Sequence, residues 1–422
     1  MQRQCARAVL PVAGLLLGCS AWAAAGPQGE DPLQPWRDNV AVRPVCDAPG
    51  RHTIHSYYLA CPESPDGSRV LFYASSAADG QRGDLCVLDR ATGRETVIAR
   101  NLETEDAHRA ACQQWVSGGR RVAFHDVRGG RWGVYAVTID PPRERLVALD
   151  RQLGFATPAS NLLPIYGCHW NPGTCRDLEL ADVASGELRA VVRIGEVQRS
   201  YGDWLNEEFG GKPVSIFFPV MSPDQKRVFF KIACGSGGDE FRSSSASKRQ
   251  GLIVCDLPGS RFLCMSKRWG HPAWHPDSRH ILEVGNLLYD VQAEGKISRI
   301  AHLPRPRGCH PSVSPDGRLI VMDGLLEPPD GAPGEYGIWV CDIRGGEGRY
   351  QILHRFDNRR GAKSWRRNDP HPVFSPDGTR IYFNVSDSAW TRLYVAQCSP
   401  PRPTVPGAPG GARGAGALGR PR

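Results

Sequence analysis

Three stretches of the chain carry a histidine in one register: GHPAWHPDSRHIL (270–282), CHPSVSPDGRLIVM (309–322) and DPHPVFSPDGTRIYF (369–383). In each, His271, His310 or His371 precedes a proline and stands four residues ahead of the Ser or His that opens the next turn. One such histidine can simply start a strand, its ring bonded to a neighbouring carbonyl. Three in consecutive copies of a repeat suggest more, because neutral imidazoles that converge on a point bind divalent metals or move protons near neutral pH. Asp369, two residues before His371, adds a carboxylate on the same side of an extended segment. His310, His371 and Asp369 are thus a candidate metal set with positions left for water or a substrate oxygen. His52 and His55, in HTIHSYY (52–58), are candidates for the same face; His125, His169, His280, His302 and His354 show no partner pattern and read as structural or surface residues.

The elements that must position these histidines are repeats. An apolar strand, Ser-Pro-Asp-Gly or a variant, a basic residue and a second strand recur at SPDGSRVLFYAS (64–75), SPDQKRVFFKI (222–232), HPDSRHILEV (275–284), SPDGRLIVMDG (314–324) and SPDGTRIYFNV (375–385). WVSGGRRVAFHD (115–126) and WNPGTCRDLELAD (170–182) read as degenerate copies. Proline presets φ and Asp-Gly supplies the positive-φ positions of a tight turn. A third strand follows each hairpin, as in DLCVLDRATG (84–93) or YGIWVCDIRGG (336–346). Seven small antiparallel sheets cannot each bury two faces alone, so the chain is expected to be all-β, a seven-bladed β-propeller of four-stranded blades over 51–398. A segment within 26–50 is expected to complete the last blade. Equivalent lead-in positions then ring the channel: Ala60, Cys112, Gly167, Phe218, His271, His310 and His371.

Of the net charge of +8, six arginines lie in the first eight residues and in the segment 399–422, where no acid accompanies them, so the body is nearly neutral. That excludes a nucleic-acid-binding fold, which concentrates basic charge on its surface. Residues 1–25 read as an export signal, with Arg3 and Arg7 ahead of the apolar run 8–18. Leu16-Leu17-Gly18-Cys19 resembles a lipobox, with Cys19 as lipid anchor and the only membrane attachment expected; cleavage after Ala23 or Ala25 is the other reading. The protein is expected in the periplasm or as an outer-membrane lipoprotein. Twelve cysteines remain beyond Cys5 and Cys19, and in an oxidising compartment several could pair, Cys168 with Cys175 among them. The Pro/Gly/Ala/Arg-rich tail 399–422 is expected to be disordered.

No Gly-x-Ser-x-Gly elbow, Cys-x-x-Cys pair or phosphate-cradling glycine loop is present. The Ser-Pro-Asp-Gly units resemble the propeller repeats of Tol-type periplasmic proteins. More specifically, GHPAWHPD, CHPSVSPDG and DPHPVFSPDG resemble oligogalacturonate lyases, seven-bladed propellers with a metal in the channel and histidines ahead of the last three blade hairpins. By that resemblance His271 is the Brønsted base, His310 a metal ligand and His371 the second histidine of a His-x-His pair. Asp369 replaces the first histidine of that pair, and Arg366 falls near the place of a glutamine ligand. Arg249 stands for the catalytic arginine, with Lys248 and Arg242 as rivals; Lys248, Arg366 and His55 are candidates for substrate contact. The resemblance implies a divalent metal, with manganese as a candidate, and β-elimination on an acidic, uronate-containing oligosaccharide. A non-catalytic Tol-type binding scaffold is the alternative.

Overall fold

Each Ser-Pro-Asp turn folds through the same local bonds. Ser64 Oγ donates to Asp66 Oδ1 at 2.5 Å and accepts the Arg69 N–H at 2.9 Å. Ser222, Ser314 and Ser375 do the same with Asp224, Asp316 and Asp377. The turn's fourth residue needs φ near +70°, which Gly67, Gly317 and Gly378 supply without steric cost. These turns join strands in a computed structural model that describes residues 31–37, 40–300, 310–328, 330–344 and 349–398. The leader 1–25 with Cys19 and the tail 399–422 lie outside the described residues.

The described strands form seven four-stranded antiparallel sheets. Their innermost strands are His52–Ile54, Gln114–Val116, Arg151–Leu153, Ser215–Met221, Ala273–Trp274, Ser312–Val313 and Val373–Phe374. The seventh sheet takes its outer strand from the other end of the chain: Ala41–Pro44 pairs antiparallel with Arg392–Gln397. Glu63 secures the same junction, accepting Arg380 through both oxygens at 2.7 and 2.8 Å and the Tyr382 hydroxyl at 2.5 Å while wholly buried. Apolar side chains of adjoining sheets interdigitate, as in the cluster running from Ala123 and Val134 through Ile165 and Phe229 to Ile281. The one long helix described, Ile194–Phe209, covers the third and fourth blades with Val197, Trp204, Leu205 and Phe209.

Two expectations need correction. In blade three the inner strand is Arg151–Leu153 and the next is Leu162–Gly167, so WNPGTC links the second and third strands and Gly167 is not a channel-ring member. The lapse follows from a turn, 154–161, that lacks the Ser-Pro-Asp chemistry. The described cysteines are all free thiols. Cys168 packs with Trp132, Trp170 and Ala246, while Cys175 meets the Arg151 guanidinium.

Candidate functional site

His271, His310 and His371 each stand two residues ahead of an innermost strand, where the chain turns into the channel. Their rings form a row: the centres of His271 and His310 lie 4.4 Å apart, those of His310 and His371 4.5 Å. His371 holds φ at 51°, a conformation that costs any residue with a β-carbon. Asp323 compensates from the middle of the strand Leu319–Leu325, accepting the His371 N–H at 3.2 Å and the His310 N–H at 2.8 Å. The same buried carboxylate lies 3.0 Å from His310 Nδ1 through both oxygens.

A fourth imidazole joins the row. His108 comes from the loop between the first and second blades, and its ring centre is 4.5 Å from that of His371. His108 Nδ1 faces the Arg367 carbonyl at 2.8 Å, so it carries the proton and Nε2 holds the lone pair. Nε2 of His108, Nε2 of His310 and both ring nitrogens of His371 are buried without a hydrogen-bond partner. Such atoms are costly unless their lone pairs, and the one N–H of a neutral His371, find partners. One donor atom each from His108, His310, Asp369 and His371 fall within 4.8 Å of one another. Three imidazoles and a carboxylate suit a divalent transition ion, and Asp323 and the Arg367 carbonyl are the supports that orient such ligands. The residues present therefore fit the divalent metal that the sequence motifs suggested.

Burial opposes a charged His310, but the Asp323 carboxylate outweighs it and raises the imidazole above its ordinary pKa. Burial, then neighbouring positive charge, holds His108, His271 and His371 well below theirs. Burial, with Asp323 nearby, raises Asp369.

Beside the row lies a narrow cleft whose wall includes His271 and four cationic side chains, Arg109, Lys231, Arg249 and Arg366. Lys231 is inside the strand Arg227–Gly235, where its ammonium donates to the Gly270 carbonyl and sits 3.7 Å over the Trp269 ring. Burial lowers its pKa to about 8, against the pull of Glu283. Trp269 is 40% exposed at the rim. Arg249 is held by a chain with one consistent set of donors. Its Nε donates to Ser247 Oγ at 2.9 Å, and that hydroxyl donates to His169 Nδ1 at 2.8 Å. His169 Nε2 then faces Glu105 at 3.4 Å, whose other oxygen takes Arg109 at 2.9 Å.

Of the residues singled out from sequence, His271, His310, His371 and Asp369 come together, with Arg249 and Arg366 on the cleft wall. Lys248 does not. Side chains alternate along a strand, so beside inward Arg249 it points out and pairs with Glu208 at 2.8 Å. Arg242 is engaged by Glu103 and the Thr104 carbonyl. His55 is fully buried behind His371, ring centres 6.4 Å apart, and burial pushes its pKa down to about 4; it does not reach the cleft. His169, expected to be a structural or surface residue, is buried in the chain that holds Arg249. Missed altogether were His108, Asp323, Arg109, Lys231 and Trp269. Asp323 in LIVMDGL and Lys231 in VFFKIA were detectable as charges interrupting apolar strands; His108 sits in a loop with no repeat signal.

The fold and the channel row define the class: a seven-bladed propeller with an imidazole-lined channel. Among solved structures, an oligogalacturonate lyase in complex with manganese superposes with a TM-score of 0.57 at 17% identity, over 85% of this chain and 96% of that one. An oligogalacturonate lyase from Vibrio parahaemolyticus gives 0.56 at 15% identity over the same shares. The chain is similar to these lyases in fold. No protein-family model and no curated protein sequence matches it.

Proposed function

We propose that the channel is the active centre of an exported lyase that cleaves uronate-containing oligosaccharides by β-elimination. The observation that carries this reading is the row of His108, His310, Asp369 and His371, with unpartnered buried nitrogens, beside a cleft walled by four cations and His271. His108, His310, Asp369 and His371 would hold a divalent ion, manganese being a candidate, which supplies Lewis-acid neutralisation of a substrate carboxylate.

The chain's own residues do the rest. Arg249, Arg366, Arg109 and Lys231 set a positive potential that selects an acidic sugar and favours charge developing on its carboxylate in the transition state. Trp269 offers the ring face that a sugar's C–H surface packs on. His271, kept neutral by burial and its cationic neighbours, has a free lone pair to accept the C5 proton. The electron pair of that C–H bond becomes the C4–C5 double bond, the C4–O bond breaks, and the departing oxygen leaves with a proton from solvent. The low basicity of His271 is offset by the cations that acidify C5. Export, by lipid anchorage at Cys19 or as a free periplasmic protein, is supported by the leader residues.

The test is an ultraviolet screen for newly conjugated double bonds on a panel of uronate oligosaccharides with manganese present. Product formed by wild type and absent with His271→Ala is the expected result. No product from any uronate oligosaccharide, together with no metal retained by wild type, leaves a binding scaffold instead.

A further inference from the structure

The turn of the fifth blade departs from the other Ser-Pro-Asp turns. Where they have Ser64, Ser222, Ser314 and Ser375 it has His275, and where three of them have Arg69, Arg227 and Arg380 it has His280. Asp277 keeps the usual work with one oxygen, Oδ1 accepting the N–H groups of Arg279 and His280 at 2.8 and 2.9 Å. Its Oδ2 faces two imidazoles, with His275 Nδ1 at 3.1 Å and His280 Nδ1 at 2.7 Å.

The protons around His275 do not balance for a neutral ring. Its Nε2 lies 3.2 Å from the carbonyl oxygen of Gly317, in the turn of the sixth blade. A carbonyl only accepts, so Nε2 carries the hydrogen and Nδ1 is left with a lone pair. That lone pair receives the Asp277 N–H at 3.3 Å, yet it also confronts the anionic Oδ2. Two electron-rich atoms held face to face require a positive species between them, either a proton or a metal ion.

We propose that His275 Nδ1, His280 Nδ1 and the Asp277 carboxylate bind a divalent transition-metal ion at this turn. The three donor atoms lie within 4.8 Å of one another. The 3.1 Å between His275 Nδ1 and Oδ2 is close to the edge of roughly 3.3 Å expected for a tetrahedron with bonds near 2.0–2.1 Å, while the 2.7 Å between His280 Nδ1 and Oδ2 is a hydrogen bond that the ion would replace and widen. Two imidazoles and one carboxylate prefer zinc-like ions to magnesium or calcium. Both histidines are largely buried and Asp277 is exposed, which leaves the outward position for water. Because His275 also reaches Gly317, the ion would clamp the fifth blade to the sixth. The site is separate from the channel row and shares no residue with it.

The probe is zinc alone. Full-length protein is loaded with zinc, freed of excess by gel filtration, and its metal counted per chain. The double substitution His275→Ser/His280→Arg rebuilds the turn that other blades fold with, so the blade is retained. It should hold one zinc fewer than wild type, and zinc should raise its thermal midpoint less. Equal zinc content in the two proteins overturns the proposal and leaves a proton-bridged turn. The readout is a difference between proteins with identical channels, so failure of the channel reading would not alter it.

Discussion

Replacing Asp323 by asparagine alters two atoms at the centre of the channel row and almost no volume. Asp323 accepts three N–H groups: the backbone amides of His310 and His371, and His310 Nδ1, which is 3.0 Å from both oxygens. An asparagine offers one oxygen and one NH2. If the oxygen keeps the His310 amide, the NH2 faces the His371 N–H and the edge of the His310 ring. Two donors then oppose each other in a buried site, at about 1–3 kcal/mol. The His310 ring can keep a single bond from Nδ1 to the remaining oxygen, or move its proton to Nε2 and consume the lone pair aimed at the row; either way the ring is held less firmly. Loss of one oriented ligand support typically weakens metal affinity 10–100-fold, or about 1.4–2.7 kcal/mol. The assay is calorimetric titration of manganese into wild type and Asp323→Asn, with His310→Ala as the limiting case. Asp323→Asn should fall between the two and lower the thermal midpoint. Wild-type affinity in Asp323→Asn, with unchanged affinity in His310→Ala, would refute the assignment of the row as a metal centre.

Lys231 carries its charge below about 8, so the cleft loses a cation as pH rises through that value. KM for an acidic oligosaccharide should climb above that pH in wild type, and Lys231→Met should show a raised, flat KM; a pH-independent wild-type KM counts against Lys231 as a substrate cation. Glu63→Ala strips Arg380 and Tyr382 of a buried partner where the ring closes and should cost about 3 kcal/mol in urea unfolding. A loss below about 1 kcal/mol would mean the strand pairing of Ala41–Pro44 closes the ring unaided. Ser247→Ala frees Arg249 from the His169–Glu105 chain without touching the cleft. It should lower turnover on an acidic substrate while Ser247→Thr restores it, and equal turnover in both variants would show that the chain is structural.

The architecture was legible because it is local and repeated. Ser-Pro-Asp-Gly closes its own hydrogen bonds within six residues, and five clear copies announce the period. Blade three was misread where that chemistry is absent: its inner turn has no Ser-Pro-Asp, and a proline-glycine loop elsewhere in the blade imitated one. The row was half legible for the same reason. His271, His310 and His371 lie at a fixed offset from the turns, so the repeat carries them to equivalent places. His108 has no such offset, and only the path of the loop after Glu103 brings it to His371.

Sequence alone thus determined the blade, the number of blades and which histidines would share a ring, since strand alternation and turn chemistry act over a few residues. Lys231 and Asp323 stand in it as charges within apolar strands, although the reading from sequence did not single them out. Only the tertiary structure decided what those charges meet. Asp323 holds the imidazole of His310 and the backbone of His371 from the next blade, Lys231 joins three arginines around one cleft, and Glu63 ties the first blade to the last. Propeller closure makes neighbours of residues separated by most of the chain, and no short-range pattern encodes which of them will face each other across the channel.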